Sequence, residues 1–78
     1  MSPVVKLNEL HLGHSANIIA MKDNVHSERL AELGFYDGAC VKPLFRGIFG
    51  QPTAFMVQNA VIALRPGESE KILVNELP

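Results

Sequence analysis

One stretch, SERLAELGFYDGACV at residues 27–41, constrains the fold more than any other. It begins as a helix. Leu30 and Leu33 share a face with His26 at i, i+4 and i+7, while Glu28 and Glu32 fall on the opposite, wet face. Asp23 or Asn24 can cap the start by offering a side-chain oxygen to the free amides of the first turn. Gly34 stops the helix, because glycine accepts the left-handed conformation of the position after the C-cap. Phe35 should then fold back on Leu30. Asp37-Gly38 is a turn signal, and the chain leaves it as a strand. A helix this short has no stability in water by itself. The rest of the chain must therefore hold it, and the rest reads as strands.

KLNELHLG places Leu7 and Leu10 three apart and ends at Gly13, which reads as one turn of helix or a structured entry loop. SANIIAMK, residues 15–22, is the first strand, apolar on both parities as a strand buried on both faces would be. ACVKPLFR puts Val41, Pro43 and Phe45 on one parity. Pro43 has no amide proton, so it marks an edge or a bulge. GIFGQP is a glycine-bracketed loop around Ile48 and Phe49. AFMVQ and VIALR form a hairpin turning at Asn59-Ala60, which opposes Val57 to Ile62 and Phe55 to Leu64. Those four then share the buried face, and Met56, Gln58, Val61 and Ala63 share the other. RPGESE is a turn or short helical link, and KILVNEL is the last strand. The expectation is a mainly β chain: about five short strands and one short inserted helix in a small, partly open barrel, the helix covering an opening.

The chain has 78 residues, 47% of them apolar, so it suits a single domain over residues 1–78 with a thin core. The formal net charge of −1 and the lack of a basic, aromatic-studded strand argue against nucleic acid as a partner. The single cysteine, Cys40, precludes an internal disulfide and fits a reducing compartment. No apolar run approaches the ~20 residues of a membrane span, and the first residues lack the build of a signal peptide. A cytoplasmic protein without membrane insertion is expected.

No Ser/His/Asp or Cys/His spacing suggests catalysis, and a chain this small leaves little room for a deep pocket of the usual ~300 Å³ or more. An enzyme is not expected. The residues able to ligate a metal are His11, His14, His26, Asp23, Glu9 and Cys40. His11 and His14 are three apart and could share a turn, but each candidate has a plainer reading: solvated loop histidines, a packed His26, and Cys40 as a small core hydrophobe. No metal site and no cofactor are expected, with at most weak, millimolar binding of divalent ions.

RLAELGFYDGACV, then GQP, then VIALRPGESEKILV together resemble the FeoA family of ferrous-iron transport accessory proteins. The positions that carry the likeness are Arg29, Leu33, Gly34, Phe35, Gly38, Val41, Gly50, Pro52, Ala63, Leu64 and Arg65, and finally Ile72, Leu73 and Val74. Leu7, Leu10 and Gly13 fit a further L-x-x-L-x-x-G element. The chain departs from the family pattern at Gln51 (for Asp), Pro43 (for a β-branched residue), Asn59 (for Gly), and at Met56 and Val61, which are apolar where charges often sit. The resemblance implies an SH3-like barrel that works beside FeoB, the membrane GTPase transporter of bacterial ferrous-iron uptake. Leu30, Leu33, Gly34, Phe35 and Gly38 then form a structural motif.

With no chemistry visible, function should lie in contact. Ile48, Phe49, Met56 and Val61 are the expected partner-binding residues, toward the cytoplasmic part of a FeoB-type transporter. The principal alternative is a metal-responsive regulatory module related to the FeoA-like domain of iron-dependent repressors. The absence of a helix-turn-helix pattern counts against it. Oligomeric state is not legible in the sequence.

Overall fold

The computed structural model describes residues 4–22, 27–48 and 51–77. Six antiparallel strands form one curved sheet: β1 (Val4–Lys6), β2 (Ala16–Met21), β3 (Cys40–Arg46), β4 (Thr53–Val57), β5 (Ala60–Leu64) and β6 (Ile72–Glu76). Their spatial order is β1-β6-β2-β3-β4-β5. The concave side encloses one apolar core that includes Leu7, Leu10, Ile18, Phe55, Ile72 and Val74. Strand β1 is an addition to the sequence reading. Three residues carry no periodicity, so it exists because β6 offers it an edge, pairing Val4 with Asn75 and Val5 with Val74.

Leu7–Glu9 form a single 3₁₀ turn, and Glu9 Oε1 accepts the Lys6 amide at 3.0 Å. The inserted helix α1 (Ser27–Leu33) is an excursion between β2 and β3. Hydrogen bonds hold its far end back on β2, from the Gly38 amide to the Ile18 carbonyl at 2.7 Å and from the Ile18 amide to the Ala39 carbonyl at 2.9 Å. Its C-terminus is a Schellman motif. The Phe35 amide donates to the Leu30 carbonyl at 2.8 Å and the Gly34 amide to Ala31 at 3.0 Å, with Gly34 at φ +111°. Leu30 and Phe35 are both in the core, and the Phe35 ring meets Phe55 edge-on with centroids 6.3 Å apart. Leu33 is half-buried, Glu28 and Glu32 are exposed, and Gly38 turns the chain into β3 at φ +93°. The caps Asp23 and Asn24, together with His26, lie outside the described residues. The RPGESE link is a short helix, α2 (Pro66–Ser69), with Pro66 in its first turn and Glu68 Oε1 accepting the Arg65 amide at 3.2 Å.

Four expectations need correction, and each has a backbone cause. In β2 the register against β6 shifts between Ile18 and Ala20, so Ile19 is an extra residue. The strand is therefore not buried on both faces. A bulge switches its parity, Ile18 and Met21 both turn to the core, and Ile19 is exposed. In β3 a second bulge lies between Pro43, which pairs with Phe55, and Phe45, which pairs with Ala54. Pro43 does mark a bulge, but the extra residue sends Phe45 to the opposite face from Val41 and Pro43. In the hairpin, Gln58 and Asn59 at φ +49° and +63° form the two-residue turn, as a type I′ turn requires. Phe55 thus opposes Ile62, and Thr53 opposes Leu64. The pairing is two residues away from the one expected, and an even slip leaves every side chain on its expected face. Phe55, Val57 and Leu64 are buried, and Ile62 packs against them. Cys40, expected in the core, is exposed because its neighbour Val41 takes the inward parity.

Candidate functional site

The convex face of β3, β4 and β5 carries a line of exposed apolar side chains. Met56 lies directly opposite Val61, and they are 37% and 55% exposed. Two residues along β4, Ala54 sits between Phe45 and Ala63 in register, and Phe45 is 62% exposed. Lys42, opposite Met56, supplies the one charge in these two rows. Strand β5 ends the sheet order, so this face runs to a free edge. Ile48, just beyond β3, is 74% exposed. Phe49 lies outside the described residues. Three of the four residues expected to bind a partner are thus exposed, and two of them, Met56 and Val61, share this face. Sequence reasoning missed Phe45. The signal that could have found it was Pro43, whose bulge reverses the parity of the rest of β3.

An open hollow of about 340 Å³ lies along this side, lined in part by Ser15, Cys40, Lys42, Met56 and Gln58. It reaches the volume of small-molecule sites but is open to solvent rather than enclosed. Beside it the Gln58 amide donates to the Tyr36 hydroxyl at 2.6 Å and ties the β4–β5 turn to the segment after α1.

The residues considered as metal ligands separate. Glu9 caps the 3₁₀ turn, Cys40 stands alone at the hollow, and Asp23 and His26 lie outside the described residues. His11 and His14 do come together, their ring centroids 5.5 Å apart. The structure adds Glu76, whose Oε2 lies 2.8 Å from His14 Nδ1. No spacing along the chain could have indicated a partner 62 residues away.

Solved structures match this fold closely. The FeoA of Stenotrophomonas maltophilia, solved as a zinc complex and described as a prokaryotic SH3 domain protein, is 30% identical, with a TM-score of 0.77 over 91% of this chain and 89% of that one. The FeoA protein of Chlorobium tepidum is 29% identical, with a TM-score of 0.86 over 95% of this chain and 71% of that one. A manganese-dependent transcriptional repressor shares the fold at a TM-score of 0.86, but at 18% identity and over 44% of its own length, a likeness of fold alone. No curated protein matches the sequence. The model of the FeoA domain matches residues 5–76, nearly the whole of the SH3-like barrel, and on that match the chain belongs to the FeoA family.

Proposed function

We propose that this protein is an accessory factor of bacterial ferrous-iron uptake that acts by contact with the cytoplasmic part of a FeoB-type transporter. It is not an enzyme, and it works from the cytoplasmic side of the membrane. What supports the reading most is the convex face of β3–β4–β5. Phe45, Met56 and Val61 are exposed there on a rigid sheet, where a soluble barrel would ordinarily place polar groups. Residues anchored on strands lose little freedom when a partner covers them, so a few such side chains can carry an interface. A domain of the FeoA family with its own metal-regulated output is the second reading. It draws only on the fold shared with the manganese-dependent repressor.

The experiment is capture from detergent-solubilised membranes on the immobilised protein, with the bound proteins identified by mass spectrometry. A FeoB-type transporter should be retained. Phe45→Asp and Met56→Glu, each first shown to melt like the wild type, should each reduce retention at least tenfold, a loss of about 1.4 kcal/mol. Raising salt from low to moderate should matter less, because Lys42 is the one charge in the two rows that hold Met56 and Phe45. Folded variants that retain the transporter normally would place the interface elsewhere. Retention of DNA instead of a transporter would favour a small nucleic-acid-binding barrel, against the charge argument.

A further inference from the structure

The tetrapeptide HLGH, residues 11–14, is a second place where chemistry-bearing side chains converge, on the loop between the 3₁₀ turn and β2. The His14 amide donates to the His11 carbonyl at 3.1 Å and closes a four-residue turn. Gly13 is its third residue at φ +82°, the conformation a type II turn demands there. Such a turn brings its first and last residues together, and here both are histidines. The turn is fastened from two sides. The Gly13 amide donates to the Pro43 carbonyl at 2.8 Å, and the Arg46 guanidinium donates to the carbonyls of Asn8 and Leu10 just upstream. Strand β6 supplies a third group. Pairing of Ala16 with Glu76, and a 2.9 Å bond from the Leu77 amide to the Ser15 carbonyl, carry Glu76 alongside His14. One ligand atom from each of His11, His14 and Glu76 lies within 4.8 Å of the other two.

We propose that His11, His14 and Glu76 form a surface site for a divalent first-row transition ion. Two imidazoles and a carboxylate suit such ions, whereas magnesium prefers oxygen ligands throughout. Adjacent ligands bonded at about 2.1 Å to one ion stand about 3.0 Å apart in an octahedral site and about 3.4 Å apart in a tetrahedral one. His14 Nδ1 and Glu76 Oε2, hydrogen-bonded at 2.8 Å, need to part by only about 0.2–0.6 Å to reach that separation. The remaining closure falls on the side chain of His11, which is exposed and has room to turn toward the other two. An isolated His–Glu contact would account for two of the three groups. It would not account for a glycine-specified turn that sets a second imidazole against the first.

The site is built for exchange rather than for holding the fold. Both histidines are exposed and Glu76 is half-buried, while the core lies elsewhere. A cleft of about 280 Å³ lined by Gly13, His14, Ser15 and Leu77 opens beside it. Three protein ligands leave coordination positions for water or for a donor from another molecule. This inference stands apart from the transporter reading, since it concerns a different set of residues and the isolated protein suffices to test it.

The test is titration of the tag-free protein with Zn²⁺ by calorimetry, repeated with Fe²⁺ without oxygen and with Mg²⁺. One equivalent of Zn²⁺ should bind with a dissociation constant below about 100 μM. Fe²⁺ should bind more weakly, in the ordinary order for these ions, and Mg²⁺ should give no heat. His11→Ala, His14→Ala and Glu76→Gln should each weaken Zn²⁺ at least tenfold, and Gly13→Ala should weaken it by disturbing the turn. An alanine Cβ at residue 13 would meet nothing within 4 Å, so that variant acts through the dihedral alone. His26→Ala and Cys40→Ser should bind as the wild type does. Zn²⁺ affinity no tighter than millimolar would overturn the site. So would unchanged affinity in any of His11→Ala, His14→Ala or Glu76→Gln, or loss of binding in His26→Ala or Cys40→Ser instead.

Discussion

Replacing Gly34 with alanine should destabilise this domain by about 2–4 kcal/mol, from two separable sources. The first is the dihedral. At φ +111° an L-residue is strained, at a cost of about 1–3 kcal/mol. The second is space. A Cβ at residue 34 would lie 2.8 Å from Gln58 Cγ, and 3.3 Å from both Gln58 Cβ and Val57 Cγ2. Gln58 is exposed and can move, giving up its 2.6 Å hydrogen bond to Tyr36, an exposed bond worth about 0.5–1 kcal/mol. Val57 is buried and cannot give. A domain of 78 residues has roughly 4–12 kcal/mol of stability in all, so the loss is a large fraction of it. At about 4–8 °C per kcal/mol, the melting temperature should fall by roughly 8–32 °C. Thermal melting followed by far-UV circular dichroism, with urea titration for the free energy, reads this directly. Gln58→Ala in the Gly34→Ala background, measured against Gln58→Ala alone, separates the sources without placing a glycine at the left-handed φ of residue 58. It removes most of the contact and leaves the dihedral, so it should restore only about 1 kcal/mol. A Gly34→Ala protein within about 0.5 kcal/mol of wild type would refute the reasoning, as would complete recovery in the double variant.

Phe55→Ala should cost about 3–5 kcal/mol, because it empties a position packed edge-on against Phe35, and urea titration should find the variant largely unfolded or nearly so. Cys40→Ser should change stability by less than about 0.5 kcal/mol, since the side chain is exposed, and the thiol of the folded wild-type protein should react with a disulfide reagent without denaturant. Phe45→Asp should likewise leave the melting temperature nearly unchanged while reducing transporter capture. A fall as large as that of Phe55→Ala would return Phe45 to the core and rule out the parity switch at the β3 bulge. The metal titrations of the HLGH turn complete the set.

Local chemistry determined much of this protein without any tertiary information. Gly34 after Leu30 and Leu33 specifies the helix stop. Pro43 specifies an irregularity in β3. Alternation in AFMVQ and VIALR specifies which side chains go inward. Each is a matter of neighbouring residues, where dihedral preference and the two-residue period of a strand leave few choices. The ordered series of glycines and apolar residues carried the FeoA resemblance as well. What the sequence could not decide is whatever depends on a count of residues across a pairing. Whether the hairpin turns at Gln58-Asn59 or one residue later alters only which apolar residue meets which, and both registers keep the same faces. The bulges at Ile19 and Leu44 cost the chain little locally, yet each reverses the parity of the remainder of its strand, and so Phe45 reaches the convex face. Glu76 reaches His14 only because β6 lies beside β2, a neighbour relation set by closing the barrel around its core and written in no stretch of residues between them.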